Sequence, residues 1–282
     1  MAISADNAGN QIAYGLAVSN SRLVIDKAAI GSTVAGQMHS LWRATGQPGQ
    51  GAIPTAAAVC DHTLTGCLGF AQQTAPVTSY LASLEATNAN NVTSIEVHDR
   101  LMHMGGLSGT VTTAQTANVD LHANLGTSNL AERIGDANYS DVQWWLEWYA
   151  DTGATVATAT VAVTYNDGST GNLTGVSLAA TRRASFLQPL NGLIPAAAAG
   201  KFIRDVDSVT LSVSTGAAGN FGVTASRLRG SLVMPLANMK FSAGWDALPI
   251  SKIPNSSCPY ILMQVGGTTT GALRGGGKII HV

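Results

Sequence analysis

The run DVQWWLEWYADTGATVATATVAVTYNDGSTG at residues 141–171 constrains this chain most strongly. From Gln143 to Tyr149 its side chains alternate. Trp144, Leu146 and Trp148 share one face, and Gln143, Trp145, Glu147 and Tyr149 share the other, which is the two-residue period of a strand. A helix is the competing reading of so short a stretch, but the segment is rich in aromatics and the run that follows is plainly β. Asp151-Thr152-Gly153 marks a turn, and 154–165 then places Ala159, Val161, Val163 and Tyr165 on one face. Asn166-Asp167-Gly168 comes next, and a D-G pair between alternating runs signals a hairpin. Alternation returns between Leu173 and Ala179.

Other segments repeat the pattern. Candidate strands lie at 78–86, 92–101, 206–214 and 221–228, and Val209, Leu211 and Val213 alternate with small hydroxylated residues as in a half-buried antiparallel strand. No βαβ rhythm interrupts them, so an all-β antiparallel sandwich or barrel is expected. Ser32 or Thr33 is positioned to cap a short N-terminal helix carrying Met38, Leu41 and Trp42, ended by Gly46. Residues 46–73 read as an irregular connection pinned by Ile53, Leu64, Leu68 and Phe70. A break is expected at 104–109, and 118–140 is loop-like. Near the C-terminus an apolar run at 260–265 precedes the segment GALRGGG, read as a flexible spacer, and a last short strand at 278–282. That strand either completes a local sheet, as an edge strand, or joins a neighbouring subunit by β-addition. The expected division is an N-terminal arm over 1–74, a β-sandwich over 75–230 and a C-terminal extension over 231–282.

Charge narrows the function. Charged residues are 11% of the chain, with 15 Lys and Arg against 16 Asp and Glu, where an average soluble domain has roughly 25%. A surface this poor in charge suits a subunit whose neighbours cover much of it. Nucleic acid is not an expected partner, because phosphate binding needs a concentrated basic surface; Arg182-Arg183 and Arg227/Arg229 are the only tight basic groups. No membrane span and no signal peptide are expected, which points to synthesis in the cytoplasm. Cys60, Cys67 and Cys258 are an odd set, too widely spaced for a C-x-x-C redox pair, and are expected as reduced, mostly buried thiols, with a single bridge as the alternative.

Three constellations could carry chemistry. His98, Asp99 and His103, with His122 as a further ligand, form the nearest approach to a metal cluster, but neighbours on a strand point to opposite faces. Asp61-His62 lies between Cys60 and Cys67, yet adjacency supplies neither a base in reach nor a lowered thiol pKa. Glu96 and Glu147 could pair as acid and base beside a sugar-stacking platform of Trp144, Trp145, Trp148, Tyr149 and Tyr165. None of these is a complete site, so no catalytic, cofactor or metal residue is assigned.

Several blocks taken in order resemble a loose group of tailed-bacteriophage virion structural proteins. They are Ser40-Leu41-Trp42, then Gly46-Gln47-Pro48-Gly49, His98-Asp99-Arg100-Leu101 and the stretch from Gly105 to Thr113. Trp144 to Tyr149, Val163-Thr164-Tyr165 and Gly219 to Thr224 complete the series. The resemblance implies a jelly-roll-like sandwich within a virion, at the capsid surface, a vertex or the neck and tail. Its partners would be further copies of the chain and other virion proteins. It implies no catalytic residue. A glycan-binding adhesion module and a carboxylate hydrolase are the competing functions.

Overall fold

The computed structural model describes residues 8–128, 130–178 and 181–282. Helix α1 (Ala8–Ala17) leads into β1 (Asn20–Lys27), β2 (Met38–Ser40), β3 (Gly46–Gln47), β4 (Ala58–Val59), β5 (Ser79–Asn88) and β6 (Thr93–Leu107). Then follow β7 (Gln115–Asp120), β8 (Val142–Ala150), β9 (Ala157–Tyr165), β10 (Thr170–Leu178) and β11 (Phe186–Pro189). The last are β12 (Ile203–Leu211), β13 (Asn220–Met234), β14 (Lys240–Ala243), β15 (Pro259–Gln264) and β16 (Leu273–His281). The chain is all-β, sandwich-like and antiparallel. It forms two compact units, one of Met1–Gly51, Asp61–Asp99 and Leu228–Val282, the other of Ala52–Cys60 and Arg100–Arg227.

The first unit is built on a sheet ordered β14-β5-β16-β1-β3. Its inner face carries Leu23, Ile25, Leu81, Leu84, Leu273 and Ile279, packed with Ile95, Val97, Leu232, Ile261 and Met263. Gly275 and Gly277 lie in the middle of β16, paired with Ile25 and Leu23 on one side and Ala86 and Leu84 on the other. A Cβ on Gly277 would stand 2.3 Å from the Ser83 carbonyl oxygen, and one on Gly275 would stand 2.1 Å from that of Glu85. On the outer face, Ile12 of α1 covers Ala82 and Ile280. Elsewhere in the unit the buried Trp42 indole is clamped between Gly51 and Gly66, neither of which leaves room for a side chain against it.

The second unit faces a β10-β9-β12-β7 sheet with β8, which pairs with β11 and with residues 220–227 of β13. The predicted alternation is what fills the core. Trp144, Leu146 and Trp148 pack with Val161, Val163, Tyr165, Val206 and Val209. Trp148 stacks on Phe221 at 5.5 Å between ring centroids, and the Trp144 Nε1 donates to the Ile203 carbonyl at 2.9 Å. The Asn166-Asp167-Gly168 turn closes the β9–β10 hairpin, with Gly168 at φ +83, a conformation glycine adopts without steric cost.

Several expectations shift. The two units divide the chain differently from the expected arm, sandwich and extension: residues from both terminal regions share one unit with Asp61–Asp99, and Arg100–Arg227 belong to the other. β1 and β16 are paired along their whole lengths, so both ends of the chain enter the same sheet. GALRGGG is not a spacer, and the last strand is no edge: its glycines let β16 lie between two close neighbours. The short helix occurs at Ala8–Ala17 rather than over 32–46, because Met38–Ser40 is drawn into pairing with β15. Only one helical turn remains there, Leu41–Arg43, capped by the Ser40 hydroxyl. β6 runs on through the expected break to Leu107, and β7 occupies the start of the polar stretch. The connection after residue 46 is held by Trp42 and Leu68 more than by Ile53 or Leu64, which stay half-buried.

The glycine tract yields a test. Gly277→Val, placed against the Ser83 carbonyl, is expected to cost about 3 kcal/mol as a backbone-displacing overpacking, read as a lowered urea midpoint. Val24→Thr, at an exposed site on the adjacent strand, is expected to leave the midpoint within about 0.5 kcal/mol.

Candidate functional site

Charge buried within β structure must be met by partners, and the second unit meets it with one network. Arg100 of β6 and Glu147 of β8 are both sealed from solvent, at 0% and 1% side-chain exposure, with Arg100 Nη2 2.6 Å from Glu147 Oε2. The same Arg100 nitrogen lies 2.8 Å from the Tyr149 hydroxyl and 3.1 Å from Thr224 Oγ1, so its two N–H groups are shared among three oxygens. Those hydroxyls in turn donate to Glu147 Oε2, from Thr224 at 2.5 Å and from Tyr149 at 3.2 Å. Arg100 Nε donates to His103 Nδ1 at 2.9 Å, so this imidazole is neutral with its proton on Nε2. Burial, then the Arg100 charge, lowers His103 to about 3. Burial and the Glu147 carboxylate push Tyr149 well above the ordinary tyrosine value, keeping it a hydrogen-bond donor. A second buried arginine, Arg133, spends its guanidinium on the carbonyls of Cys60 and Arg100, at 2.7 and 2.9 Å.

The first unit repeats the principle with other groups. Asp99 and Arg229 form a buried pair at 2.9 Å, and the other Asp99 oxygen accepts from the Cys258 N–H. Lys27 is buried with its ammonium on the carbonyls of Ala44 and Pro48, at 3.0 and 2.7 Å. Burial lowers it to about 8. His281 of β16 lies between two serines, with Nε2 2.8 Å from Ser21 Oγ and Nδ1 2.9 Å from Ser79 Oγ. A serine on a histidine is the arrangement of an activated nucleophile. Here the second ring nitrogen faces a neutral hydroxyl, and the Ser21 oxygen also accepts from the Ala71 N–H. That arrangement straps β1, β16 and β5 together.

Against this geometry the sequence candidates separate. His98 bonds Glu96 at 2.8 Å, while Asp99 pairs with Arg229 and His103 serves Arg100. His122 bonds the Tyr139 hydroxyl at 3.0 Å. Among the described residues no group of three or more His, Cys, Asp or Glu is placed to hold a metal ion. Cys60, Cys67 and Cys258 are buried and unbridged, whereas His62 is exposed. Glu96 and Glu147 belong to different units, each with its own partner. Trp144, Trp145, Trp148, Tyr149 and Tyr165 are all buried, which removes them as a sugar-stacking platform. The sequence reading missed the counter-ion. A glutamate inside an aromatic strand requires one, and Arg100 stands within a block already singled out, but a pairing across 47 positions leaves no local mark.

No protein-family model matches the chain, and no curated protein matches it significantly. Among solved structures it is similar to infectious bursal disease virus proteins. The virus-derived T=1 particle chain is 13% identical, with 93% of this chain and 76% of that chain covered and a TM-score of 0.20. The VP2 subviral particle is 12% identical, with 93% and 80% covered and a TM-score of 0.17. Overlap this low carries no argument about this chain.

Two outcomes follow from the network. Glu147→Gln is expected to destabilise the chain by about 3–5 kcal/mol because it strands a buried guanidinium, whereas the double change Arg100→Met with Glu147→Leu is expected to cost less than either half alone. Chemical denaturation of the three variants measures this. His103 has its folded value far below the ordinary 6.5. Between about pH 6.5 and 3 the unfolded chain therefore binds a proton that the folded unit refuses, and stability falls as pH falls through that window. His103→Gln is expected to flatten that part of a stability–pH profile.

Proposed function

We propose that this chain is a non-enzymatic structural subunit of a virus particle, of the tailed-bacteriophage kind its sequence resembles. Its place would be at the head, as a capsid decoration, vertex or other head-associated protein. The observation that carries this reading is the contrast between interior and surface. The buried ionic groups are spent on internal partners. The exterior of a chain with 11% charged residues displays Val92, Val233, Leu236, Met239 and Trp245, all at least half exposed. The Val92 N–H bonds the Pro235 carbonyl at 3.2 Å, which sets Val92 against the segment bearing Val233 and Leu236. Apolar surface of this kind is buried when subunits assemble.

Copies of this chain, with major capsid or neck and tail proteins, are the partners the reading requires. A glycan-binding module is disfavoured by burial of the aromatic strand, and a carboxylate hydrolase by the engagement of Glu147. Synthesis in the host cytoplasm and residence in the virion go with the proposal. The test is association with particles. Tagged chain expressed during infection is expected to sediment with purified virions and to remain after a high-salt wash. Recovery solely as free monomer would contradict the proposal.

A further inference from the structure

A sheet edge carries backbone groups without partners, and a second chain can add a strand there. The edges of this protein are not equal. β3 and β4 offer two residues each. β10 is broken by a register shift between Leu173 and Val176, with Gly175 at φ +68. β7 has Asn118 at φ +47 and faces a shift between Val206 and Ser208 on β12. Such irregularities turn an edge away from further pairing. β14 has none: its four residues pair with β5 in unbroken register, and it is the outermost strand of its sheet. In an antiparallel strand alternate residues direct their N–H and C=O away from the partner. No residue from Asn238 to Ala247 is buried, so that outward edge is open.

The sequence at this edge is complementary to itself. Phe241 and Ala243 turn to the core side, where they pack against the first unit's core, and Lys240 turns outward onto Glu85 at 2.7 Å. Met239 just before the strand is 52% exposed, and Trp245 just after it is 50% exposed. Asp246 is exposed and has no cationic partner among the described residues. A second copy can lie antiparallel on β14 about a two-fold axis through Ser242, perpendicular to the sheet. Ser242 then faces Ser242, Phe241 faces Ala243 and Lys240 faces Gly244, so bulky residues meet small ones and no like charges are opposed. At each end the Met239 of one copy meets the Trp245 segment of the other, a sulfur beside an indole. Lys240 has three donors, so it keeps Glu85 and reaches the diagonal Asp246 of the other copy. An axis through Phe241 would instead set Phe241 on itself and draw Asp246 away from Lys240.

We propose that β14 pairs with β14 of a second copy in the register centred on Ser242, joining two five-stranded sheets into one. This rests on the assembly reading and specifies one of its contacts. The opposite charges of Lys240 and Asp246, used twice about the axis, favour another copy of this chain over an unrelated strand. The contact is isologous, the same surface on both partners, so it closes as a dimer.

A cysteine on the axis tests it. Directly opposite residues of paired strands lie about 4.5–5.5 Å apart between Cα atoms, within disulfide range, and the native thiols Cys60, Cys67 and Cys258 are buried. Under mild oxidation of the purified chain, Ser242→Cys is expected to form a covalent dimer roughly tenfold faster than Val24→Cys, because pairing raises the effective concentration of the thiols. Val24 is an exposed control on β1 of the same sheet. Ser242→Lys sets two ammonium groups against each other and is expected to weaken self-association roughly tenfold in a sedimentation concentration series. Unaltered circular dichroism in each variant shows that folding is intact. Equal crosslinking of the two cysteine variants, or association that ignores Ser242→Lys, overturns this contact. A Ser242→Cys chain that stays monomeric under oxidation yet sediments with virions overturns the contact alone and leaves the assembly role standing.

Discussion

A guanidinium taken out of water has to be surrounded by acceptors, and in this protein Arg100 sets that demand for the second unit. Its Nη2 reaches Glu147, Tyr149 and Thr224, which come from β8 and β13, while its neighbour His103 accepts from Nε–H. The network therefore fixes three strands in one register. A one-residue slip of β8 would carry Glu147 to the face of Trp144 and Trp148 and leave the arginine unmet. Such a pair adds little net stability over an apolar replacement, but it penalises every arrangement that breaks it. The aromatic core supplies the burial, and the ion pair restricts how that core can be assembled.

Much of this architecture was legible in the sequence. The alternation from Gln143 to Tyr165 and the D-G turn correctly mark two strands and a hairpin, because inward residues in a half-buried sheet must repeat every second position. The segments that misled did so for physical reasons. A run of glycines reads as flexible by local propensity, yet Gly275 and Gly277 are needed where neighbouring backbones approach too closely for a Cβ. The short helix was expected near Trp42, since nothing local reveals that β15, more than 200 residues later, pairs with Met38–Ser40.

The candidate chemistry divides along the same line. Residue types were readable, but convergence was not. His98, Asp99 and His103 are close in sequence and serve different partners, whereas Ser21, Ser79 and His281 are distant and meet in one strap. Sequence proximity along a strand separates side chains, and sheet pairing joins those that sequence keeps apart. The mixed face of β8 was correctly recognised as more than a wet surface, although its meaning came only with Arg100. In functional terms this leaves reactive residue types inside, as structural fasteners, and apolar side chains such as Val233 and Trp245 outside.

The buried aromatic core and the exposed apolar side chains are the two sides of this division. Hydroxyl-radical footprinting of the free chain and of virion-associated chain measures both sides at once. Trp144 and Trp148 are expected to stay unreactive in either state, while Met239 and Trp245 react in the free chain and are protected in the particle. Reactive Trp144 and Trp148 in the free chain, or Met239 and Trp245 equally reactive in both states, would contradict it.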